Sequence, residues 1–140
     1  MTDPKDHQAP IDLDSLKKML FSAALMSAID GKFDQTEREV CLKFLVSNWL
    51  TEYGDVKVFF STVLDEIKTL LKTGPKLYEN IDRVATELAL KLAQPHKDAL
   101  MSLIENVMLS DGQAVVRETD LLNRYRKKIQ NPHLVDLKKL

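Results

Sequence analysis

Cysteine occurs once in the 140 residues, at position 41, so no disulfide can close within the chain. Such usage suits a reducing compartment, and a cytoplasmic location is expected. Cys41 stands between Val40 and Leu42 in a helical pattern, with no motif nearby that would lower its pKa. A core or half-buried, unreactive thiol is therefore expected. Glycine is scarce as well: four residues supply no glycine-rich phosphate loop. Neither sign of charge dominates. Twenty Lys and Arg against twenty-one Asp and Glu leave a formal charge of −1, which sets up no global field toward nucleic acid or an anionic membrane. No apolar run reaches the roughly 18 residues of a membrane span. The opening "MTDPKDHQAP" lacks the basic start and apolar core of a secretory signal. The three histidines, His7, His96 and His133, form no Glu-x-x-His or His-x-x-x-His pair, which argues against a di-iron centre or a zinc protease. No Cys-x-x-Cys is present, and no nucleophile stands in a recognisable elbow. A non-enzymatic protein is expected.

What the chain does have is helical periodicity. Strand alternation is absent, and nearly every segment after a polar stretch, residues 1–11, expected to be a disordered tail, repeats its apolar residues at helical spacing. Leu13, Leu16, Leu20, Ala24 and Ser27 form the stripe of a first helix over about 13–29, with Asp12 or Asp14 as N-cap. A second helix starts near Asp34 and carries Val40, Phe44, Leu45 and Trp49. "TEYGD" interrupts the pattern at 51–55. A third helix carries Val56, Phe59, Phe60, Val63, Ile67, Leu70 and Leu71 and closes at Gly74-Pro75. A fourth presents Tyr78, Ile81, Ala85, Leu88 and Leu92. Pro95 suits the first turn of a fifth helix with Leu100, Leu103, Ile104, Val107 and Met108. A sixth helix, with Leu121, Leu122, Tyr125 and Ile129, stops at Asn131-Pro132. Residues 131–140 form a tail or one more short helix. The expectation is an all-α domain over 12–130, a single compact bundle of six to seven helices.

Two short stretches stand apart from this pattern. "AIDGKFDQTERE" (28–39) and "MLSDGQAVVRETD" (108–120) each place Asp-Gly in a turn and a Glu seven residues after the Asp, and the two copies lie 81 residues apart. Aligned with a calcium-binding EF-hand loop, Asp30 and Gly31 would be positions 5 and 6, and Glu37 position 12. Positions 1 and 3 would then be Met26 and Ala28, and in the second copy Val107 and Leu109. None of these offers a side-chain oxygen, and calcium needs six or more oxygens, so an EF-hand is excluded. Local structure accounts for much of the first copy. Asp34 and Glu37 read as a capping box and Gly31 as a left-handed C-cap. The second copy has Val115 where a cap belongs, yet Glu118 keeps its place. Asp30 and Asp111 also put negative charge at helix C-termini, where the macrodipole disfavours it. Paired carboxylates in such surroundings are what a cation site requires, and both explanations stand.

With its duplicated helix, small residue, Asp-Gly turn and following acidic residue, the chain resembles the helical TerB-like family named for bacterial tellurite resistance. The resemblance spans roughly residues 13–130. It implies an all-helical fold with an internally repeated hairpin and a metal-binding centre built from the shared acidic residues. By motif position these are Asp30, Glu37, Asp111 and Glu118. All four offer oxygens, so Mg²⁺ or Ca²⁺ is the cation implied. The implied setting is a stress-response or envelope-associated assembly with a protein partner. Ser110 where the first copy has Ile29, and Val115 and Val116 at the entry to the second helix, depart from the first copy.

The segment "NRYRKKIQNPHLVDLKKL" carries six Lys or Arg against one Asp. Its expected role is the solvated face and frayed end of the last helix, so nucleic-acid binding is not expected. Trp49, Phe59 and Phe60 are expected in the core. Three functions remain open: first a non-enzymatic module binding a divalent cation through its acidic turns, second a metal-free protein-interaction domain presenting those turns to a partner, and last a metal-dependent enzyme, for which no base or nucleophile is assigned.

Overall fold

Short acidic caps decide where the first three helices begin. In a computed structural model of the chain, residues 10–28, 34–72, 77–109 and 116–133 are described, with the backbone alone at 116–119. Asp12 caps α1 (Leu13–Ser27), its carboxylate accepting the Ser15 amide. Asp34 caps α2 (Gln35–Ser47), and Asp55 caps α3 (Val56–Leu71) by accepting the amides of Lys57 and Val58. α4 (Leu77–Lys91), α5 (Gln94–Met108) and α6 (Val116–Gln130) follow. Pro95 sits in the first turn of α5, where its missing N–H would have had no helical partner. Among the described residues there are six α-helices, one 3₁₀ turn at Thr51–Tyr53 and no strand. The chain is an all-α compact bundle.

α1 is the hub. Its residues Leu16, Met19, Leu20 and Ala23 to Met26 are all buried, together with Ser15, Ser22 and Ser27, because α2, α3, α4, α5 and α6 all pack around it. The run of Ala and Ser in its second half lets neighbouring helices approach closely. Each fully buried Leu, Ile or Met contributes about 1.5–3 kcal/mol of transfer free energy, so this helix and its ring of partners dominate the stability. α4 runs antiparallel to α1, held by Lys91 to Asp12 at 2.8 Å and by Lys18 to Glu87 at 2.6 Å. α6 is pinned from inside: the Tyr125 hydroxyl donates to Ser22 Oγ at 2.7 Å, both groups buried. Lys128 reaches Asp82 of α4 at 3.2 Å and donates to the Pro132 carbonyl at 2.8 Å.

The helix boundaries refine the sequence reading at two places. Trp49 lies past the end of α2, not on it. It is half-buried in the link to α3, edge-on to Tyr53, tilted against Phe59, and donating to the Gly54 carbonyl at 2.9 Å. This aromatic nest needs the chain to reverse at Gly54, whose φ of 99° and ψ of −146° suit glycine alone. Leu92 is likewise just beyond α4, though buried. Ile11, assigned by sequence to the end of the tail, is buried, and its carbonyl accepts from the Tyr53 hydroxyl at 2.8 Å. Residues 1–9, the Gly74-Pro75 stop and the 134–140 segment lie outside the described residues. No described helix is long and apolar enough to cross a membrane.

Candidate functional site

The repeat seen in the sequence reappears in the helix ends. α1 stops at Ser27 and α2 starts at Gln35; α5 stops at Met108 and α6 starts at Val116. Both stops and both starts are 81 positions apart, the period of the motif. The C-caps match as well. The Ala28 amide donates to the carbonyls of Ala24 and Met26, and the Leu109 amide to those of Glu105 and Val107, the same two offsets. Glu37 is the third residue of α2, and Glu118 the third of α6. Asp30, Gly31, Asp111 and Gly112 lie outside the described residues, as does the Glu118 side chain. The expected left-handed glycines and the shared turn geometry of the repeated hairpin fall there too.

Glu37 is the described member of the four. It is buried, only 5% exposed, and its orientation is set by a complete capping box. The Asp34 carboxylate accepts the Glu37 amide at 3.0 Å while Glu37 Oε1 accepts the Asp34 amide at 3.1 Å. The side chain therefore bends back toward Asp34 at the start of α2 instead of extending along the helix. The positive end of the α2 dipole favours its charge there. One turn further on, Cys41 is buried; burial pushes its thiol up to about 12, and the Glu37 charge adds to the effect. The thiol is buried, as its setting in the sequence implied, and a thiol so placed is held in its neutral, weakly nucleophilic form. Among the described residues, no three His, Cys, Asp or Glu side chains gather as a metal centre. The centre implied by the resemblance draws three of its four carboxylates from outside them.

Sequence reasoning missed a second feature. An open trough with a cavity volume of about 770 Å³ runs between α2 and α5. Val40, Phe44 and Leu103 form its floor, and Lys43, Ser102 and Asn106 stand at its rim. Its lining extends to Thr36, beside Glu37, and to Leu109, the C-cap of α5. The trough thus borders the helix ends next to both acidic turns. Its residues were legible as helical stripes, but the apolar stripe of α2 is wider than its buried face: Val40 and Phe44 are only half-buried, while Cys41 and Leu45 are sealed.

The basic strip of α6 divides: Arg124, Arg126 and Lys127 are exposed, as expected of a solvated face, while Lys128 is buried. Arg124 pairs with Asp120, Arg126 with Glu105 and Lys128 with Asp82, and Tyr125 is fully buried. Burial pushes the Tyr125 phenol above its ordinary range, against the lowering effect of its bond with Ser22.

Compared with protein-family models, with curated proteins and with solved structures, the chain matches none.

Proposed function

We propose that the chain is a non-enzymatic TerB-like module that binds a divalent cation at its acidic helix turns and serves a tellurite or chemical-stress response. The observation that carries this reading is the matched framing of the two turns. Each begins after a helix whose C-cap makes the same two hydrogen bonds, spans seven residues with Asp third, and ends three residues before a Glu on the next helix. Glu37, buried and bent back to the Asp34 amide at the N-terminus of α2, supports a role for its carboxylate at the first copy. Asp30, Glu37, Asp111 and Glu118 offer oxygen alone, which selects Mg²⁺ or Ca²⁺ over zinc. Two to four carboxylates completed by water place the affinity at about 10⁻⁴–10⁻³ M. A cytoplasmic module with a protein partner in a stress-response or envelope-associated complex is the setting in which such a weak site would work.

One observation favours a second reading. The capping box already gives Glu37 a structural task without any cation, so the turns could instead meet basic residues of a partner directly, with no metal bound. Calorimetric titration separates the two. Millimolar Mg²⁺ or Ca²⁺ should give a saturable heat that Asp30→Asn with Glu37→Gln reduces by at least half, while Asp34 keeps α2 capped. No heat with either cation at 10 mM would leave the metal-free reading in place.

A further inference from the structure

The trough between α2 and α5 is shaped for something other than a cation. We propose that it is the docking site for an amphipathic helix of a partner protein, one whose apolar ridge is flanked by an acidic residue that pairs with Lys43. Three properties of the trough select this occupant. Its α2 wall runs from Thr36 to Asn48, about 18 Å at helical rise, the length of a helix of about twelve residues. Its floor is apolar, through Val40, Phe44 and Leu103, and Leu109 at its border is 49% exposed. Its lining carries a single charged side chain, Lys43, which is exposed and makes no ion pair among the described residues.

Other occupants fit less well on chemical grounds. Both walls are helices whose backbone groups bond within the helix, so an extended peptide would find no free edge to pair with. One cation is too few for a nucleic-acid backbone. A third helix, by contrast, can seat its side-chain ridge between two others and bring its flanking polar residues to the rim. There Ser102 and Asn106 can exchange hydrogen bonds with it. The nearest acid on α2, Glu39, already accepts from Gln35 at 3.3 Å, leaving Lys43 as the charge that reads the partner. Neither Glu37 nor any other acidic residue lines this surface among the described residues, so it stands whether or not the turns hold a metal.

The test uses two synthetic helix-forming peptides of fourteen residues, each with leucines at i, i+3, i+4 and i+7. One carries glutamates beside the ridge and its twin carries lysines. Each is titrated into the full chain, with methyl NMR signals of Val40, Leu103 and Leu109 as the readout. The acidic peptide should shift these three selectively and bind about fivefold or more tightly than its lysine twin, in keeping with one rim ion pair. Lys43→Glu, at an exposed position that leaves the fold intact by circular dichroism, should reverse that preference. Equal binding of the two peptides, shifts elsewhere on the bundle, or no shift at 1 mM acidic peptide would each overturn the proposal. So would sedimentation showing a dimer that Lys43→Glu dissociates, since the trough would then belong to a second copy.

Discussion

Lys128 and Asp82 form the interaction whose removal should be felt most sharply. Their side chains are only 5% and 12% exposed and lie 3.2 Å apart, joining the last turns of α6 to the first turns of α4. Removing one member of a buried pair leaves the other charge desolvated without its counter-ion, which costs about 3–5 kcal/mol. Lys128→Met keeps most of the aliphatic stem, and the pair is not wholly sealed, so the lower figure of about 3 kcal/mol applies. For a chain of this size that corresponds to a drop in Tm of roughly 9 °C. Replacing both members removes the stranded charge. Asp82→Asn with Lys128→Met should therefore cost less than the sum of the single variants by about 1–3 kcal/mol. Urea denaturation followed by circular dichroism at 222 nm measures all four corners of this cycle, provided the m-value holds constant. A Lys128→Met loss under about 1 kcal/mol, or additivity within about 0.5 kcal/mol, would refute the assignment of α6 as a helix locked by this pair.

Three further outcomes are expected. The Asp12 carboxyl, which burial alone would raise, is lowered to about 2 by hydrogen bonds and charge from Lys91 and by the Ser15 amide. A depressed carboxylate stabilises the fold above its unfolded pKa of about 3.9, so that contribution should be lost between pH 4 and pH 2. Because the side chain is half exposed, salt should weaken it, and proton NMR of Lys91→Ala should find Asp12 titrating higher. Gly54→Ala should cost about 1–3 kcal/mol by urea denaturation, although a methyl group there meets nothing within 4 Å, since the backbone conformation itself excludes a side chain. Cys41, buried and pushed up to about 12, should resist Ellman's reagent at pH 8 on the timescale of folding stability and react within seconds once the chain is unfolded in guanidinium.

The helices were legible because their periodicity and their caps pointed the same way. Asp12 and Asp34, read as caps from the sequence, prove to be caps, and Asp55, read only as the end of the 51–55 break, caps α3. Five of the six core residues of α5, Leu100, Leu103, Ile104, Val107 and Met108, were read from spacing, and Met101 was missed. What escaped was what depends on partners distant in sequence. Lys128 looked like one member of a solvated basic strip, and only its meeting with Asp82 makes it a buried residue. Ser15 and Ser22 are buried on α1 because five helices surround it, a circumstance that no local pattern encodes. Trp49 was placed on a helix because its spacing from Leu45 is helical, yet the Gly54 reversal draws it into an aromatic nest beyond the helix end. The trough needed the pairing of α2 with α5 before it existed at all. For the candidate cation site, the equal spacing of the two acidic turns was legible, and it survives in the matched helix ends and C-caps.

A cation held jointly by the two acidic turns is the core of the proposed function. It is tested most directly by following the backbone amides of Glu37 and Glu118 through a single Mg²⁺ or Ca²⁺ titration by NMR. Both amides are expected to shift with one shared midpoint of about 10⁻⁴–10⁻³ M, and Asp30→Asn with Glu37→Gln to weaken the response at Glu118 as well as at Glu37. Amides that stay unmoved at 10 mM cation, or that titrate with unrelated midpoints, would contradict it.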